Sequence, residues 1–525
     1  MKLKHSILLA VVASLFAVSF FHPVFETTDD IFMLLQTAGM GSAPPTDFLL
    51  FSHFLIGKTL KAAYLGYPDI PWYPLYLTGL NMFGLIGIGY ALLLSRPRSA
   101  VWAALLLDLS VGCFSLVMLQ FTTTAFVCSL GGMALIFATR KEENRPAVLV
   151  FGIFLFILGG MVRLQSAELA AALFIPFWFQ NHSWRPLLAG MIGFACVAGL
   201  HFAQVRHFES DPAWRQYPAA NKVKSKLVDY RLPPEGKEVL NAIGSQGWEF
   251  DDLKLARMFF IPDPNWFSVE KLAAVARSLD AVYWDRWQDL SGALPRLFAG
   301  RYGILAALIV ACLIAYRRSN SRVFLLSMCG MACITLYLLV YLKLPDRVVE
   351  CIYLFGLFAA LATSDFQKAR FPAWITAGVA LAFVAALIAD LGSRQGHYDE
   401  GHRDAAHLIA ELKARDGDRF VFWGASSFLS QLPAFGNFKR ELSGLEFITL
   451  GTTQIAPLVF KERLSRMGIG DLLHEWVARD DIWMLVPAIE RLALVEGFYK
   501  RRLGLTIKFE TIPLGKFYLS RPRLK

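Results

Sequence analysis

Long apolar runs separated by short polar connections dominate the first 391 positions of the chain. Runs of about 20 residues are long enough to cross a bilayer as helices. They predict about eleven spans, at residues 6–25, 72–94, 100–119, 123–139, 147–162, 167–179, 186–205, 300–316, 323–342, 351–363 and 372–391. The hydropathy pattern therefore predicts a polytopic α-helical membrane protein.

The connections between these spans alternate in length and in charge. Alternate connections are short and basic, and they contain Arg96, Arg98, Arg140, Lys141, Arg145, Arg185, Arg317, Arg318, Arg322, Lys368 and Arg370. Short loops rich in Lys and Arg face the cytoplasm. This orientation puts the N-terminus inside, and the long segments 26–71, 206–299 and 392–525 all lie outside the cytoplasm.

The first of these long segments contains a clear helical pattern. In "TDFLLFSHFLIGKTLKAAYLG" the apolar residues after Thr46 recur at steps of three and four, and Thr46 is a suitable N-cap. We expect an amphipathic helix that lies along the membrane surface. The breaker "YPDIPWYP" then turns the chain into the next span, so the helix would cover a cavity between the spans.

The tail has the pattern of a small soluble α/β domain. "RFVFWG" and "IWMLVP" predict buried strands, and "TIKFETIPLGKFYLSRP" predicts a closing hairpin around Leu514 and Gly515. The expected organisation is a transmembrane module at 1–391, with outer loops at 26–71 and 206–299, followed by a soluble domain at 392–525.

Composition agrees with a membrane protein and excludes a nucleic-acid partner. Of the 525 residues, 55% are hydrophobic and 18% charged, against about 25% charged in soluble proteins. The mean hydropathy is +0.45. The formal net charge is +10, but many of the cations lie in the short inner loops. The bilayer accounts for this charge, and we expect no nucleic acid.

Nucleotide-binding signals are absent from the sequence. It contains no Walker motif, no Gly-rich dinucleotide fingerprint and no HExxH. Most of the polar content falls outside the cytoplasm, where nucleotides are lacking. Transfer chemistry on that side requires a donor that is already activated and exported, which indicates a lipid-linked one.

Ionisable residues gather at the predicted outer boundary of the spans. Asp29 and Asp30 stand directly after the first span. Candidate substrate-binding residues at the same level are His53, Lys58, Arg163, Gln165, Glu168, Lys343 and Arg347. Charges at this depth are costly, and they line a cavity or pair with one another. We expect a candidate active site here, although Arg163 and Arg347 can alternatively pair with Glu168 and Glu350.

The order of these features resembles the GT-C-type integral membrane glycosyltransferases, which use polyprenyl-phosphate sugars at the outer membrane face. The shared features are an acidic pair after the first span, an interfacial loop helix, many spans and a soluble C-terminal domain. "TTDDIFM", "FSHFLIGKTL", "IPWYP", "MVRLQS" and "LPDRVVE" are similar to segments of bacterial envelope proteins of this type. As architecture, the resemblance covers the whole chain.

The resemblance implies a bacterial inner-membrane transferase whose active site faces the periplasm. It would move a hexose or pentose from a polyprenyl-phosphate donor to a glycan, lipid or protein acceptor, by an inverting displacement. The catalytic base falls on Asp30 or Asp29, with Asp30 preferred and Asp29 as a cap or metal ligand. No cofactor is required; a divalent cation, if used, would bind Asp29 or Asp30. Cations would stabilise the departing lipid phosphate.

Other interpretations remain open at this point. Asp29 and Asp30 are also suited to capping a helix without taking part in catalysis. A lipid-linked glycan transporter or flippase would have internal repeats, which the sequence lacks. An O-antigen-type polymerase or ligase also acts at the outer face, but an acidic pair after the first span is not its hallmark.

Overall fold

The structure is a computed structural model that describes residues 2–95, 100–139, 146–179, 184–230, 232–282, 290–318 and 320–525. The predicted inner-loop residues Arg96, Arg98, Arg140, Lys141 and Arg145 lie outside the described residues. The chain is mostly helical, as the sequence predicts, and ends in a small domain that contains a sheet.

Nineteen helices precede the C-terminal domain or lead into it within the described residues. They are α1 (Lys2–Phe20), α2 (Thr28–Ala38), α3 (Phe54–Gly66), α4 (Trp72–Ser95), α5 (Ala100–Leu107), α6 (Cys113–Val117), α7 (Phe121–Ala138), α8 (Pro146–Val162), α9 (Leu164–Phe179), α10 (Trp184–Ser210), α11 (Tyr217–Val228), α12 (Lys237–Gly244), α13 (Phe250–Arg257), α14 (Val269–Asp280), α15 (Leu290–Ala293), α16 (Gly300–Ala315), α17 (Ser321–Tyr341), α18 (Asp346–Ala362) and α19 (Ala373–Lys413).

Each predicted span overlaps one of these helices. In the described part of the chain, six helices are long and apolar enough to cross a membrane, namely α1, α4, α7, α10, α17 and α19. The remaining spans coincide with shorter helices, so the count of eleven stays a prediction. Helices α4 and α7 approach closely because both carry glycine: a Cβ on Gly84 or Gly131 would come within 2.7 or 2.5 Å of the facing backbone.

The helix of the first outer segment begins later than predicted. The sequence favours an N-cap at Thr46, but α3 begins at Phe54, and the nitrogen of His53 caps it. The Thr46 amide instead donates to the carbonyl of Gln36, at 2.9 Å. The chain then folds back across the helix, and a Cβ on Gly57 would lie 2.3 Å from the Asp47 carbonyl. Tertiary contacts therefore override the local helical pattern.

The C-terminal domain is an α/β domain, as predicted. It adds the helices α20 (Phe438–Leu442), α21 (Pro457–Arg466), α22 (Leu472–Ala478) and α23 (Glu490–Leu503). The strands of the chain are β1 (Val24–Phe25), β2 (Met118–Leu119), β3 (Tyr316–Arg318), β4 (Ser364–Ala369), β5 (Arg419–Trp423), β6 (Glu446–Leu450), β7 (Ile482–Val486), β8 (Ile507–Leu514) and β9 (Phe517–Leu524). The domain's sheet has the order β6-β5-β7-β9-β8. Strand β5 is parallel to β6 and β7, whereas β9 is antiparallel to β7 and β8.

The three long segments that the sequence predicts to lie outside the cytoplasm pack into one body. A single hydrophobic cluster joins Phe48 of the first segment, Val275 of the second, and Trp423 and Phe498 of the C-terminal domain. The indole nitrogen of Trp423 also donates to the carbonyl of Met258, at 2.7 Å. All three segments therefore lie on the same side of the spans. Helix α19 runs into this body without interruption, across the boundary expected at residue 391.

Candidate active site

The two adjacent aspartates occupy the first turn of α2. The helix begins where Thr27 is extended, and carboxylates are favoured near a helix N-terminus. The side chain of Asp30 is fully buried. It accepts hydrogen bonds from the Tyr73 hydroxyl at 2.9 Å, the Phe121 amide at 3.1 Å and the Thr27 hydroxyl at 3.0 Å. Asp30 therefore ties α2 to the starts of α4 and α7.

Asp29 points in another direction and stays accessible. Its side chain is 28% exposed, and its Oδ2 lies 3.7 Å from Nη2 of Arg347 at the start of α18. The Nε of Arg347 is buried and has no hydrogen-bond partner among the described residues. Asp29 and Arg347 are thus a carboxylate and a guanidinium that face the same space, and the guanidinium keeps a free donor.

This geometry makes Asp29 our candidate base, whereas the sequence favoured Asp30. A fully buried carboxylate whose two oxygens already accept three hydrogen bonds is withdrawn from any substrate. Burial raises the pKa of Asp30 to about 8, which makes it a neutral or partly neutral group at physiological pH. Asp29 is the better candidate because it is reachable.

Arg163 is the second cation at this level. It links α8 to α9, and its Nη1 donates to the Thr122 hydroxyl at 3.0 Å. The guanidinium lies 4.9 Å from the ring centre of Phe121, the residue whose amide binds Asp30. Burial, followed by the nearby positive charge of Arg347, lowers the pKa of Arg163 to about 10. The group is still protonated at neutral pH, and an anion would stabilise it.

The carboxylates expected to neutralise these arginines are engaged or exposed. Glu350 pairs with Arg301 and not with Arg347: Arg301 Nη2 lies 2.8 Å from Glu350 Oε1, and both side chains are buried. Glu168 is exposed, and no ion pair joins it to Arg163 among the described residues. The alternative of structural pairing is therefore wrong for both arginines, and Asp29 is the carboxylate that Arg347 contacts.

The large outer loop contributes a residue that sequence reasoning did not single out. Lys224 on α11 is only 8% exposed, and its Nζ lies 5.2 Å from the ring centre of Phe259. Burial lowers the pKa of Lys224, while Asp229 and Asp29 act in the opposite direction. Lys224 is therefore a third cation within electrostatic range of Asp29. Nothing in its local sequence distinguishes it from the solvated lysines of the same helix.

Two further residues near Asp29 were also missed. The hydroxyl of Tyr217 is buried without a partner in the described part of the chain, and Asp29 is the charge that acts on it. Burial, followed by the charge of Glu350, raises the pKa of Glu26 to about 7, and Arg347 opposes that rise. Glu26 is thus a second carboxyl group beside Arg347, and it titrates near neutral pH.

Lys343 holds the large loop near this site. Its Nζ donates to the carbonyl of Val228, and its amide donates to the carbonyl of Asp229, at 3.1 Å. Tyr230 and Leu342 add a β-bridge at the same place. Lys343 is exposed and serves here to fix the end of α11, which carries Lys224.

The other predicted binding residues do not contact this group. His53 is buried: its Nε2 donates to the Leu200 carbonyl at 2.9 Å, and its Nδ1 accepts from the Leu55 amide at 3.2 Å. Both ring nitrogens are therefore used to join α3 to α10. Lys58 and Gln165 are exposed, and no hydrogen bond joins them to Asp29 within the described residues.

The divalent cation that the family resemblance leaves open has little support here. Among the described residues, no group of three or more His, Cys, Asp and Glu side chains could hold a metal ion. Asp29 faces the Arg347 cation, and Asp30 accepts its hydrogen bonds from protein donors. We therefore derive no step through a metal.

Comparisons with known proteins give matches to solved structures. Two solved structures of ArnT from Cupriavidus metallidurans are similar to this chain, one in the apo state and one bound to undecaprenyl phosphate, with TM-scores of 0.40 and 0.37. Each is 11% identical and covers 98% of this chain and 97% of its own. At these TM-scores no residue role is transferred. The chain matches no protein-family model and no curated relative.

Proposed function

We propose that this chain is an integral membrane glycosyltransferase that moves a sugar from a polyprenyl-phosphate donor to an acceptor outside the cytoplasm. The observation that carries the proposal is the accessible Asp29 carboxylate 3.7 Å from Arg347. The positive charges of Arg163 and Lys224 lie within electrostatic range of Asp29. A base beside several cations is what transfer from a lipid phosphate requires.

The roles follow from where charge changes during the reaction. The acceptor hydroxyl attacks the anomeric carbon, and Asp29 takes its proton. The bond between that carbon and the phosphate oxygen breaks, and the lipid phosphate leaves with the electron pair. Arg347 carries a free Nε donor, and with Arg163 it stabilises the charge that develops on the leaving oxygen. Attack opposite to the leaving group inverts the anomeric centre.

Asp30 has a positioning role in this proposal. Its hydrogen bonds with Tyr73 and Phe121 fix the first turn of α2 against α4 and α7. The direction of the Asp29 side chain depends on that turn. Loss of Asp30 would therefore reduce activity through geometry and not through the loss of a proton acceptor.

The membrane side follows from the basic inner loops and stays part of the proposal. With the N-terminus cytoplasmic, the body formed by the outer loops and the C-terminal domain faces the periplasm of a bacterial inner membrane. The acceptor is then an envelope glycan, lipid or protein, and the sugar is a hexose or pentose.

The proposal is tested with purified protein in lipid nanodiscs and a panel of polyprenyl-monophosphate sugars. We expect an acceptor-dependent release of polyprenyl phosphate, which Asp29→Asn abolishes and Asp416→Asn preserves. Asp416 is an exposed carboxylate of the C-terminal domain and serves as the matched control. In a parallel assay with proteoliposomes, movement of intact donor across the bilayer without cleavage would identify a transporter. Reaction only with diphosphate-linked glycans would identify a polymerase or ligase.

A further inference from the structure

Phe259, in the large outer loop, has a backbone conformation that a bulky residue rarely adopts. It follows the end of α13 with φ 60°, and among the described residues it is the one residue other than glycine with a positive φ. Its amide donates to the carbonyl of Ala256 at 3.1 Å, and the Phe260 amide donates to that of Leu255 at 2.9 Å. This pattern ends a helix at a left-handed residue, which is usually glycine. In α2 and α23 glycine takes that place.

Contacts on both sides of Phe259 hold this turn against the C-terminal domain. The carbonyl of Met258 accepts a hydrogen bond from the indole nitrogen of Trp423, at 2.7 Å. Phe260 is fully buried, and its ring centre lies 4.8 Å from that of Trp423. A strained residue persists only where its surroundings enforce its conformation, and such residues concentrate at functional sites. The strain at Phe259 therefore calls for a functional explanation.

The strained turn places the ring of Phe259 against Lys224. The Nζ of Lys224 lies 5.2 Å from the ring centre, and the lysine is only 8% exposed. No ion pair joins Lys224 to a carboxylate within the described residues, and Asp29 and Asp229 act on it through charge alone. An aromatic face attracts an ammonium group without neutralising it or occupying its N–H donors. The contact with Phe259 therefore fixes the ammonium and leaves its charge available to an anion.

The face of α11 that carries Lys224 is directed toward the candidate active site. Tyr217 precedes Lys224 by seven residues, so both side chains lie on one face of the helix. Both lie within electrostatic range of Asp29. The hydroxyl of Tyr217 is buried and has no hydrogen-bond partner in the described part of the chain. This face of α11 therefore borders the site at Asp29.

We propose that Phe259 is a positioning residue, which holds the Lys224 ammonium beside Asp29 so that it binds the phosphate of the lipid donor. The inference rests on the proposed transferase function and adds the residue that orients one of its cations. Phe259 acts through Lys224 and makes no contact with the reacting atoms. The left-handed turn after α13 is what brings its ring to that place.

The test measures the affinity of the full-length protein in detergent for decaprenyl phosphate, without sugar or acceptor. Phe259→Ala removes the ring and should weaken binding about three- to tenfold. Phe259→Trp keeps an aromatic face and should bind like the wild type. Wild-type affinity in Phe259→Ala would overturn the proposal, and so would a Phe259→Trp protein that binds as weakly as Phe259→Ala.

A similar contact in the same loop provides the matched control. The Nζ of Lys254 lies 4.6 Å from the ring centre of Phe250, and it also lies 3.9 Å from Asp251. Phe250→Ala should therefore bind decaprenyl phosphate like the wild type. A loss of affinity equal to that of Phe259→Ala would mean that any damage to the loop weakens binding, and the proposal would fail.

Phe259→Gly separates the role in binding from the stability of the turn. Glycine adopts a positive φ without strain, so this variant should melt at a higher temperature than Phe259→Ala while binding decaprenyl phosphate as weakly. A higher melting temperature for Phe259→Ala would contradict the strained turn. If Phe259→Ala does not fold, Phe259→Gly decides, and wild-type affinity in that variant would overturn the proposal.

Binding of decaprenyl phosphate requires no sugar transfer, so the two proposals can fail separately. A wild type that binds this lipid but releases no polyprenyl phosphate from any donor contradicts the transferase function, and leaves the role of Phe259 in lipid-phosphate binding standing. A wild type that does not bind decaprenyl phosphate overturns the role of Phe259, whatever the transfer assay gives.

Discussion

Asp29 contacts Arg347 across 3.7 Å, and this contact joins the start of α2 to the start of α18. The adjacent Asp30 is fully buried. Neighbouring residues in a helix project about 100° apart, so the Asp29 carboxylate stays accessible while that of Asp30 lies in the core. This division is the reason that we propose a chemical role for Asp29 and a positioning role for Asp30.

Asp30→Asn should remove a fall in stability that the wild type shows as the pH rises from about 4 to about 8. The pKa of Asp30 rises from 3.8 to about 8 on folding, so the folded state holds a proton that the unfolded state releases. The stability that this proton contributes is complete below about pH 4 and is lost as the pH rises through 8. Because Asn does not ionise, the melting temperature of the wild type should fall relative to that of Asp30→Asn between about pH 4 and pH 8; a constant difference would contradict the raised pKa.

Glu26→Gln should remove a pH dependence of donor binding. Burial raises the pKa of Glu26 to about 7, so this carboxyl is neutral below that pH and negative above it. When ionised, it partly neutralises Arg347 and weakens the attraction for a lipid phosphate. We expect the KM for the donor to rise between pH 6 and pH 8 in the wild type, because binding of an anionic donor is linked to protonation of Glu26. The KM should stay flat in Glu26→Gln. The same rise in both proteins would exclude Glu26 as its cause.

Substitutions of Lys224 and of Lys226 should have different effects on kcat/KM, although both residues lie on α11. Lys224 is buried near Asp29, whereas Lys226 is exposed and pairs with Asp280 at 2.9 Å. A charge-assisted hydrogen bond to phosphate contributes about 1.5–3 kcal/mol, so Lys224→Gln should lower kcat/KM by about tenfold or more. Lys226→Gln should leave kcat/KM unchanged. Equal effects would mean that Lys224 has no specific role in donor binding.

The buried Arg301–Glu350 pair should stabilise the fold. The two side chains are 1% and 2% exposed and lie 2.8 Å apart. Removing one partner leaves an uncompensated charge, at a cost of about 3–5 kcal/mol. Arg301→Met should therefore lower the melting temperature, and Arg301→Met combined with Glu350→Leu should recover most of the loss. A double variant as unstable as the single one would contradict the explanation that an unpaired buried charge causes the loss of stability.

The sequence predicted the features that are set locally. Apolar runs marked the helices of the membrane part, and the hairpin of β8 and β9 was predicted from its alternation and from Gly515. Strand β6 was missed because its apolar run is short. The start of α3 was misplaced because contacts of Thr46 and Asp47 with distant residues override the local pattern.

The candidate site depends on contacts between segments, and there the sequence was less informative. It located Asp29, Arg163 and Arg347 at one level, because each lies at the end of an apolar run. It could not tell which aspartate is buried, since this depends on Tyr73 and Phe121. Lys224 gave no signal because the loop that carries it has no membrane pattern.

The central claim is that Asp29 is the proton acceptor in sugar transfer. The most direct measurement is the single-turnover rate of Asp29→Asn with a polyprenyl-phosphate sugar, in protein whose melting temperature and donor affinity match the wild type. A general base contributes about 10²- to 10⁴-fold, so the rate should fall by at least about 100-fold. An Asp29→Asn protein that binds donor and transfers sugar at the wild-type rate would contradict the account.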